Sequence, residues 1–438
     1  MTKEEFKKFV ESEGAKFKQP LGFGIARVDL GEKFGESAES KGESCGCGKA
    51  SGESNGDSCA ESKKSVVLQA TYPVLNWRDS SGKCENLGSY AVLCSALEKF
   101  PQNLISKSES EAIYRIDSGI VNSALEIFSP FLAEALADKN SHKNIQVLLE
   151  LQKMTDSQKM PNLDCCKSHF RFVVLYDDAK CESVESSYMK LLALSLGKAK
   201  LRSLNLDGIF GLLENIAWSG NTPYQLEYLR QNEIPLKLAG KFPRIDFVDK
   251  FPRYLMQVIP QYDNIRLLDS AKTRFGAYLG SGGYTQMPGA SYVNFNAGVV
   301  GKCMNEGRIS SSVIVDEGTD VGGGASILGV LSGGNANPIS IGKNCLLGVN
   351  SSTGISLGDG CVVDGGIAVL AGTIFYISAD EAQKIREINA DFEIKSDCLY
   401  KGRELSGKNG IHFRQDSKSG AMTAFRSKVK IELNTALH

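Results

Sequence analysis

The chain has 438 residues, with 50 Lys plus Arg against 51 Asp plus Glu and a formal net charge of −1. That balance gives no global attraction to nucleic acid or to an anionic membrane, and the length points to two or three folded units rather than one core. No run approaches the roughly 18 apolar residues of a membrane span, and MTKEEFKKFVESEG sets Phe6, Phe9 and Val10 at helical spacing among charges, unlike a signal peptide. The expectation is a cytoplasmic chain with neither nucleic acid nor membrane among its partners.

Near the start, LGFGIARVDL (21–30) and SVVLQATYPVLNW (65–77) are rich in Val, Ile and aromatics and read as strands that pair across the stretch between them. That stretch, GEKFGESAESKGESCGCGKASGESNGDSCAES, has one Phe and no other large apolar residue, too little to offset chain entropy. It reads as a disordered insertion at about 32–63. Its cysteines, Cys45, Cys47 and Cys59, lack the fourth ligand and the turn framework of a metal site. Twelve cysteines scattered over so long a chain do not make a secreted disulfide framework, so most are expected to be reduced and structural.

From about 86 to 240 the pattern is helical, as in SGIVNSALEIFSPFLAEALADK and SSYMKLLALSLGKAKLRSLNLDGIFGLLENIAW, with apolar residues three and four apart. KSHFRFVVLYDD (167–178) adds a strand. The front of the chain, 1–260, is therefore expected to be a mixed α/β domain whose helices cover a sheet.

Near residue 262 the character changes, and 23 of the 45 glycines fall between Gly276 and Gly372. Aliphatic residues return every six positions in four registers: Met287, Val293, Val299; Val315, Val321, Ile327; Ile341, Leu347; Leu357, Val363, Val369. A period of six fits neither a helix nor a two-faced strand, but it fits a parallel β-helix with a triangular coil, three hexads to the turn and one inward aliphatic on each side. The β-helix is expected over 262–376, with a C-terminal helix and β-hairpin segment over 377–438. Between registers the spacings are 16, 14 and 10, so NEGRISSS (305–312), SGGNANP (332–338) and SSTG (351–354) read as polar excursions from the prism.

The first of these holds Glu306 and Arg308. As a bare pattern, two opposite charges in a loop are more often a solvated pair than a site. Beside the apolar wall of a prism, however, desolvation would push a carboxylate toward the pKa of a useful base. His142, His169, His412 and His438 are the only histidines and none falls in the repeats, which excludes a histidine base there and a three-histidine zinc site. Gly322, Gly323 and Gly324 are followed by no helical pattern, so they read as coil corners rather than a phosphate loop.

The run MPGASYVNFNAGVVGKCMNEGRISSSVIVDEGTDVGGGASILGVLSGG (287–334), the following ISIGKNCLLGVNSSTGISLGDGCVV and the tail ELSGKNGIHFRQDSKSGAM (404–422) resemble the tetrahydrodipicolinate N-succinyltransferase family, most of all its longer form known from actinobacteria. The resemblance covers about 265–425, with MNEGRIS and VGGGASI its most specific parts, and the front half matches loosely. It implies a left-handed β-helix, transfer of a succinyl group from succinyl-CoA to the amine of ring-opened tetrahydrodipicolinate on the route to diaminopimelate and lysine, and a homotrimer with active sites between neighbouring prisms. It places Glu306 as the catalytic glutamate and Arg308 on the acyl-CoA. By the same resemblance the Gly329 N–H would face the developing oxyanion, and Gly323, Ser326, Val349 and Gly372 fall at further acyl-CoA contact positions. The resemblance leaves open whether Glu306 acts as a base or attacks the thioester itself; the general-base role is the expectation. Some members are reported to bind a divalent cation, but the positions that would supply carboxylates are Ala271 and Ala290, so no metal is expected. From the repeats alone, an N-acyltransferase for another acyl-CoA or amine, or a non-catalytic scaffold, fits as well.

Overall fold

A computed structural model describes residues 1–32, 65–156, 168–287, 289–329 and 337–433. The predicted insertion, including Cys45, Cys47 and Cys59, falls outside them but for its first residue. The chain divides into two compact units, one of Met1–Met189 with Leu206–Lys250 and one of Lys190–Asn205 with Phe251–His438. The sequence pattern alone suggests boundaries near residues 261 and 376.

In the first unit, Gly22–Glu32 pairs antiparallel with Ser65–Thr71 on one side and with Ser168–Leu175 on the other. Glu111–Arg115 and Leu104–Lys107 then complete the sheet. Helices Leu87–Glu98, Ser118–Ile127 and Lys143–Asp156 cover it and close one cluster around Phe23, Phe172, Val174, Val121 and Leu148. The helix Ser118–Ile127 starts where it does because Asp117, in extended conformation, accepts from the Ile120 N–H at 2.9 Å. The helical expectation for 86–240 is too simple. Besides the strands just named, Ile216–Ser219 and Thr222–Gln225 form a hairpin turned at Gly220, whose φ is 55°. Strands of four or five residues are too short to register against longer helical spacing. Among the described residues, no single helix is long and apolar enough to cross a membrane.

The second unit contains a left-handed parallel β-helix of five coils. Its first face stacks Tyr278–Leu279, Gly298–Val299, Ile314–Val315 and Ser340–Ile341. Its second stacks Tyr284–Gln286, Cys303–Asn305, Thr319–Val321, Leu346–Leu347 and Val362–Val363. Its third stacks Tyr292–Val293, Arg308–Ile309, Ser326–Ile327, Ser352–Thr353 and Ala368–Val369. Each face sends one column inward, for example Val293, Ile309, Ile327, Thr353 and Val369, all fully buried. A single coil has no partner for these side chains, so the stack is the core.

Two of the three predicted excursions prove to be something else. Asn305 follows Val299 by six residues and Thr353 follows Leu347 by six, and both point inward and are fully buried. The hexad continues through them; it is hidden in the sequence because the inward residue is polar. The corner that follows each is shortened to four residues, reaching Ile309 and Leu357. Asn305 Oδ1 accepts from the Gly307 N–H at 3.0 Å while its Nδ2 donates to the Tyr284 hydroxyl, also at 3.0 Å. Thr353 Oγ1 accepts from the Ile355 N–H at 3.3 Å and donates to the Ile355 carbonyl at 2.8 Å. In both corners an inward side chain fastens the backbone two residues on, which is what allows so tight a bend to be buried. Of the third, SGGNANP, most lies in residues 330–336, outside the described set. At the top of the prism the inward residue is Gln286, fully buried, rather than Met287.

Beyond the last coil, Ser378 caps the helix Ala379–Ile388, and Ile411–Gln415 adds to the second face and turns back antiparallel into Met422–Arg426. His412 thereby joins the second face after all, opposite Val362. Its Nε2 lies 2.6 Å from Asp364 Oδ1 and its ring packs on Phe425, so it is committed to closing the prism's end. The described cysteines, Cys84, Cys94, Cys181, Cys303, Cys345, Cys361 and Cys398, are free thiols.

Candidate active site

The seven residues singled out from the sequence fall into three groups around the third face. At the corner leading into it stand Glu306, Gly323 and Val349, in successive coils. Glu306 is half-buried, its N–H held by the Val321 carbonyl at 2.8 Å. A Cβ placed on Gly323 would meet Glu306 Oε2 at 3.4 Å and Val349 Cγ2 at 3.9 Å. The carboxylate thus reaches over a floor without side chains, with the Val349 side chain, 59% exposed as a residue, as its apolar edge. On the face itself, Arg308 and Ser326 are laddered neighbours with outward side chains, and Ser352 follows. Arg308 is exposed and free to meet a solvated anion.

At the corner leading out of the face stand Gly329 and, two coils on, Gly372. Gly329 is buried against the turn Ser310–Val313, where a Cβ would come within 2.9 Å of Ser310 Cβ and 3.0 Å of the Ser311 carbonyl. Among the described residues no acceptor takes its N–H. Glu306 and Gly329 flank the same face at opposite edges, roughly 15 Å apart along it at the rise of a strand. One prism therefore does not bring the carboxylate and this N–H to a single carbonyl carbon.

Asp320 is a residue that the sequence reading does not single out. It points outward on the second face between Met304 and Leu346, diagonal to Glu306 in the ladder. Burial, and secondarily the charge of Glu306, lift its carboxyl above the ordinary aspartate range. An acidic residue one place before an inward aliphatic looks in sequence like any solvated hexad position, so only the ladder reveals the pairing. The residues present do not fit a hard cation: Ala271 and Ala290 bring no carboxylate, and the Ala271 carbonyl accepts from Arg253 Nε at 2.8 Å.

A hexad prism with an accessible carboxylate at one corner, an exposed arginine on the adjoining face and, among the described residues, a backbone N–H without an acceptor at the next corner suits a hexapeptide-repeat acyltransferase. Family models agree along the chain: the N-terminal domain of tetrahydrodipicolinate N-succinyltransferase matches 55–211, the middle domain 213–253, and the hexapeptide repeat of succinyl-transferase 338–371. The 2,3,4,5-tetrahydropyridine-2,6-dicarboxylate N-succinyltransferase of Helicobacter pylori is 59% identical over 99% of both chains. That of Campylobacter jejuni is 46% identical over 100% of this chain and 99% of its own. A crystal structure from Campylobacter jejuni, described as a 2,3,4,5-tetrahydropyridine-2-carboxylate N-succinyltransferase, superposes with a TM-score of 0.80 at 44% identity, covering 99% of each chain. The chain belongs to the tetrahydrodipicolinate N-succinyltransferase family and is an acyltransferase. The kinship includes the front half, which repeat and motif reading alone leaves loosely matched.

Proposed function

We propose that the chain transfers a succinyl group from succinyl-CoA to the amine of ring-opened tetrahydrodipicolinate, on the route to diaminopimelate and lysine. The observation that carries this reading is kinship over the whole chain rather than the prism alone, since a shared fold by itself does not choose a substrate. A donor that is a CoA thioester fits a cytoplasmic address.

The acceptor's amine is protonated at neutral pH and has no lone pair for a thioester. Glu306 takes one proton from it, the nitrogen attacks the thioester carbon, and the oxygen becomes an oxyanion that the Gly329 N–H receives. Collapse breaks the carbon–sulfur bond; the proton held by Glu306 leaves with the thiolate as CoA-SH, and the second proton that the nitrogen sheds as it becomes an amide passes to solvent. A positioned base contributes about 10²–10⁴-fold and an oxyanion donor about 10²–10³-fold. The glycine floor at Gly323 leaves Glu306 room to reach an incoming amine, which favours the base over direct attack on the thioester. Arg308 grips the far carboxylate of the succinyl group with two parallel hydrogen bonds, a geometry that an acetyl group cannot use. Ser326, Val349, Gly323 and Gly372 line the path of the CoA arm. Because Glu306 and Gly329 flank one face at opposite edges, the reading assigns each active site to two neighbouring prisms of a homotrimer.

The test is thiol release from succinyl-CoA and from acetyl-CoA, each with and without tetrahydrodipicolinate, with the product identified by mass. Amine-dependent release preferring succinyl-CoA is expected. Equal use of acetyl-CoA would assign another acyl donor, and no release from either would leave the prism a scaffold.

A further inference from the structure

Arg202 reaches the corner that carries Gly329 from outside the repeats, on the segment Lys190–Asn205 that belongs to the same unit. Its backbone is left-handed, with φ at 66°, a conformation that costs a non-glycine residue and persists only where the surroundings enforce it. The enforcement is visible: its N–H donates to Asn296 Oδ1 at 2.8 Å. The guanidinium then donates to three oxygens of the prism. Nε meets the Ser312 carbonyl at 2.6 Å, Nη1 meets Ser340 Oγ at 3.0 Å, and Nη2 meets the Ile339 carbonyl. Among the described residues no carboxylate pairs with it. A partly buried cation without a counter-ion is a poor stability device unless its hydrogen bonds offset the desolvation.

The three oxygens have one thing in common. Ser312 belongs to the turn Ser310–Val313, closed by the Val313 N–H on the Ser310 carbonyl at 3.2 Å, and Gly329 is packed against Ser310 and Ser311 in that turn. Ile339 and Ser340 enter the first face, where Ser340 pairs with Ile314. The backbone just before Gly329 is fixed by the ladder, through the Leu328 N–H on the Thr353 carbonyl at 3.0 Å. The turn behind Gly329 and the Ile339–Ser340 segment are joined to each other through the guanidinium. A lysine ammonium is a point donor and does not span three oxygens with a fixed fork.

We infer that Arg202 is a positioning residue for acyl transfer, holding the Ser310–Val313 turn and the Ile339–Ser340 segment so that the Gly329 N–H keeps its aim at the thioester oxygen. The inference rests on the role proposed for Gly329. It makes Arg202 and Gly329 a single energetic unit: displacing the N–H by Gly329→Ala removes what Arg202 positions, and loosening Arg202 removes the aim of the N–H. Losses from the two changes overlap rather than add.

The experiment is a double-mutant cycle of Arg202→Lys and Gly329→Ala in the full-length chain, with kcat, both KM values and the melting temperature measured for each protein. Arg202→Lys is expected to lower kcat about tenfold or more with both KM values within about threefold of native. The double variant is expected to be no slower than about threefold below Gly329→Ala. Arg202→Ala is expected to fall further and to regain part of its kcat with added methylguanidinium. If Arg202→Lys melts earlier but keeps its kcat, or if the two losses multiply, Arg202 only braces the fold and the inference is overturned. If Arg202→Ala does not fold, the lysine variant and the cycle still decide. A native chain that turns over neither acyl-CoA contradicts the proposed function and removes this inference with it.

Discussion

The prism and the front unit solve the same burial problem in different ways. In the prism the core is a stack of thin layers, each inward residue lying between its counterparts in the coils above and below, as Leu347 lies between Val321 and Val363. In the front unit one cluster is drawn from several helices and a sheet, with Leu148 among neighbours that follow no repeat. The ladder fixes the prism's backbone on every side, so its corners are relieved of holding the core and are free to carry chemistry. Helices on a sheet can shift to fill a gap; laddered coils cannot.

The largest expected effect follows directly. Leu347 and Leu148 are both fully buried, and a buried Leu→Ala costs about 2–5 kcal/mol depending on how far the site collapses. Leu347→Ala should fall near the top of that range and Leu148→Ala near the bottom, as read from urea midpoints; the reverse order would break the comparison. Next, Arg308→Met should raise the KM for succinyl-CoA about tenfold or more, the scale of a lost charge-assisted hydrogen bond, and leave acetyl-CoA kinetics unmoved. Asn305→Val tests whether inward polar residues fasten the tight corners. It strands the Gly307 N–H and takes the Asn305 amide from the Tyr284 hydroxyl, and should cost about 1–3 kcal/mol, whereas a variant as stable as the native chain would mean the asparagine is incidental. The smallest effect is stabilising. The Asp320 carboxyl is raised in the folded chain, so between the unfolded value and the raised one the native state binds more protons and stability falls as pH rises. Asp320→Asn should therefore melt later than native at pH 7, with the gain shrinking as pH falls toward 4; a gain that persists at pH 4 would contradict this.

The prism is legible because its period is strict and its inward residues mostly aliphatic. Asn305 and Thr353 read as breaks for one physical reason: a polar side chain can occupy an inward place when the adjacent corner satisfies it. Glu306, Arg308 and the glycines stand out as motif residues. Their division between two edges of one face does not, because sequence spacing does not say which corner a residue occupies. Asp320 and Arg202 are invisible for a related reason, as each matters through partners 14 to 138 positions away. In the front unit no period exists, and its short strands are absorbed into the helical pattern around them.

On the proposed reading the chemistry resides at the prism's corner, with Glu306 as the group that frees the amine. The direct measurement is tetrahydrodipicolinate-dependent thiol release from succinyl-CoA by the native chain and by Glu306→Gln, both shown to be folded and of the same oligomeric size. A fall in kcat of about 10²–10⁴-fold with little change in the succinyl-CoA KM is expected. A variant that turns over at the native rate would leave Glu306 as part of the wall and contradict the account.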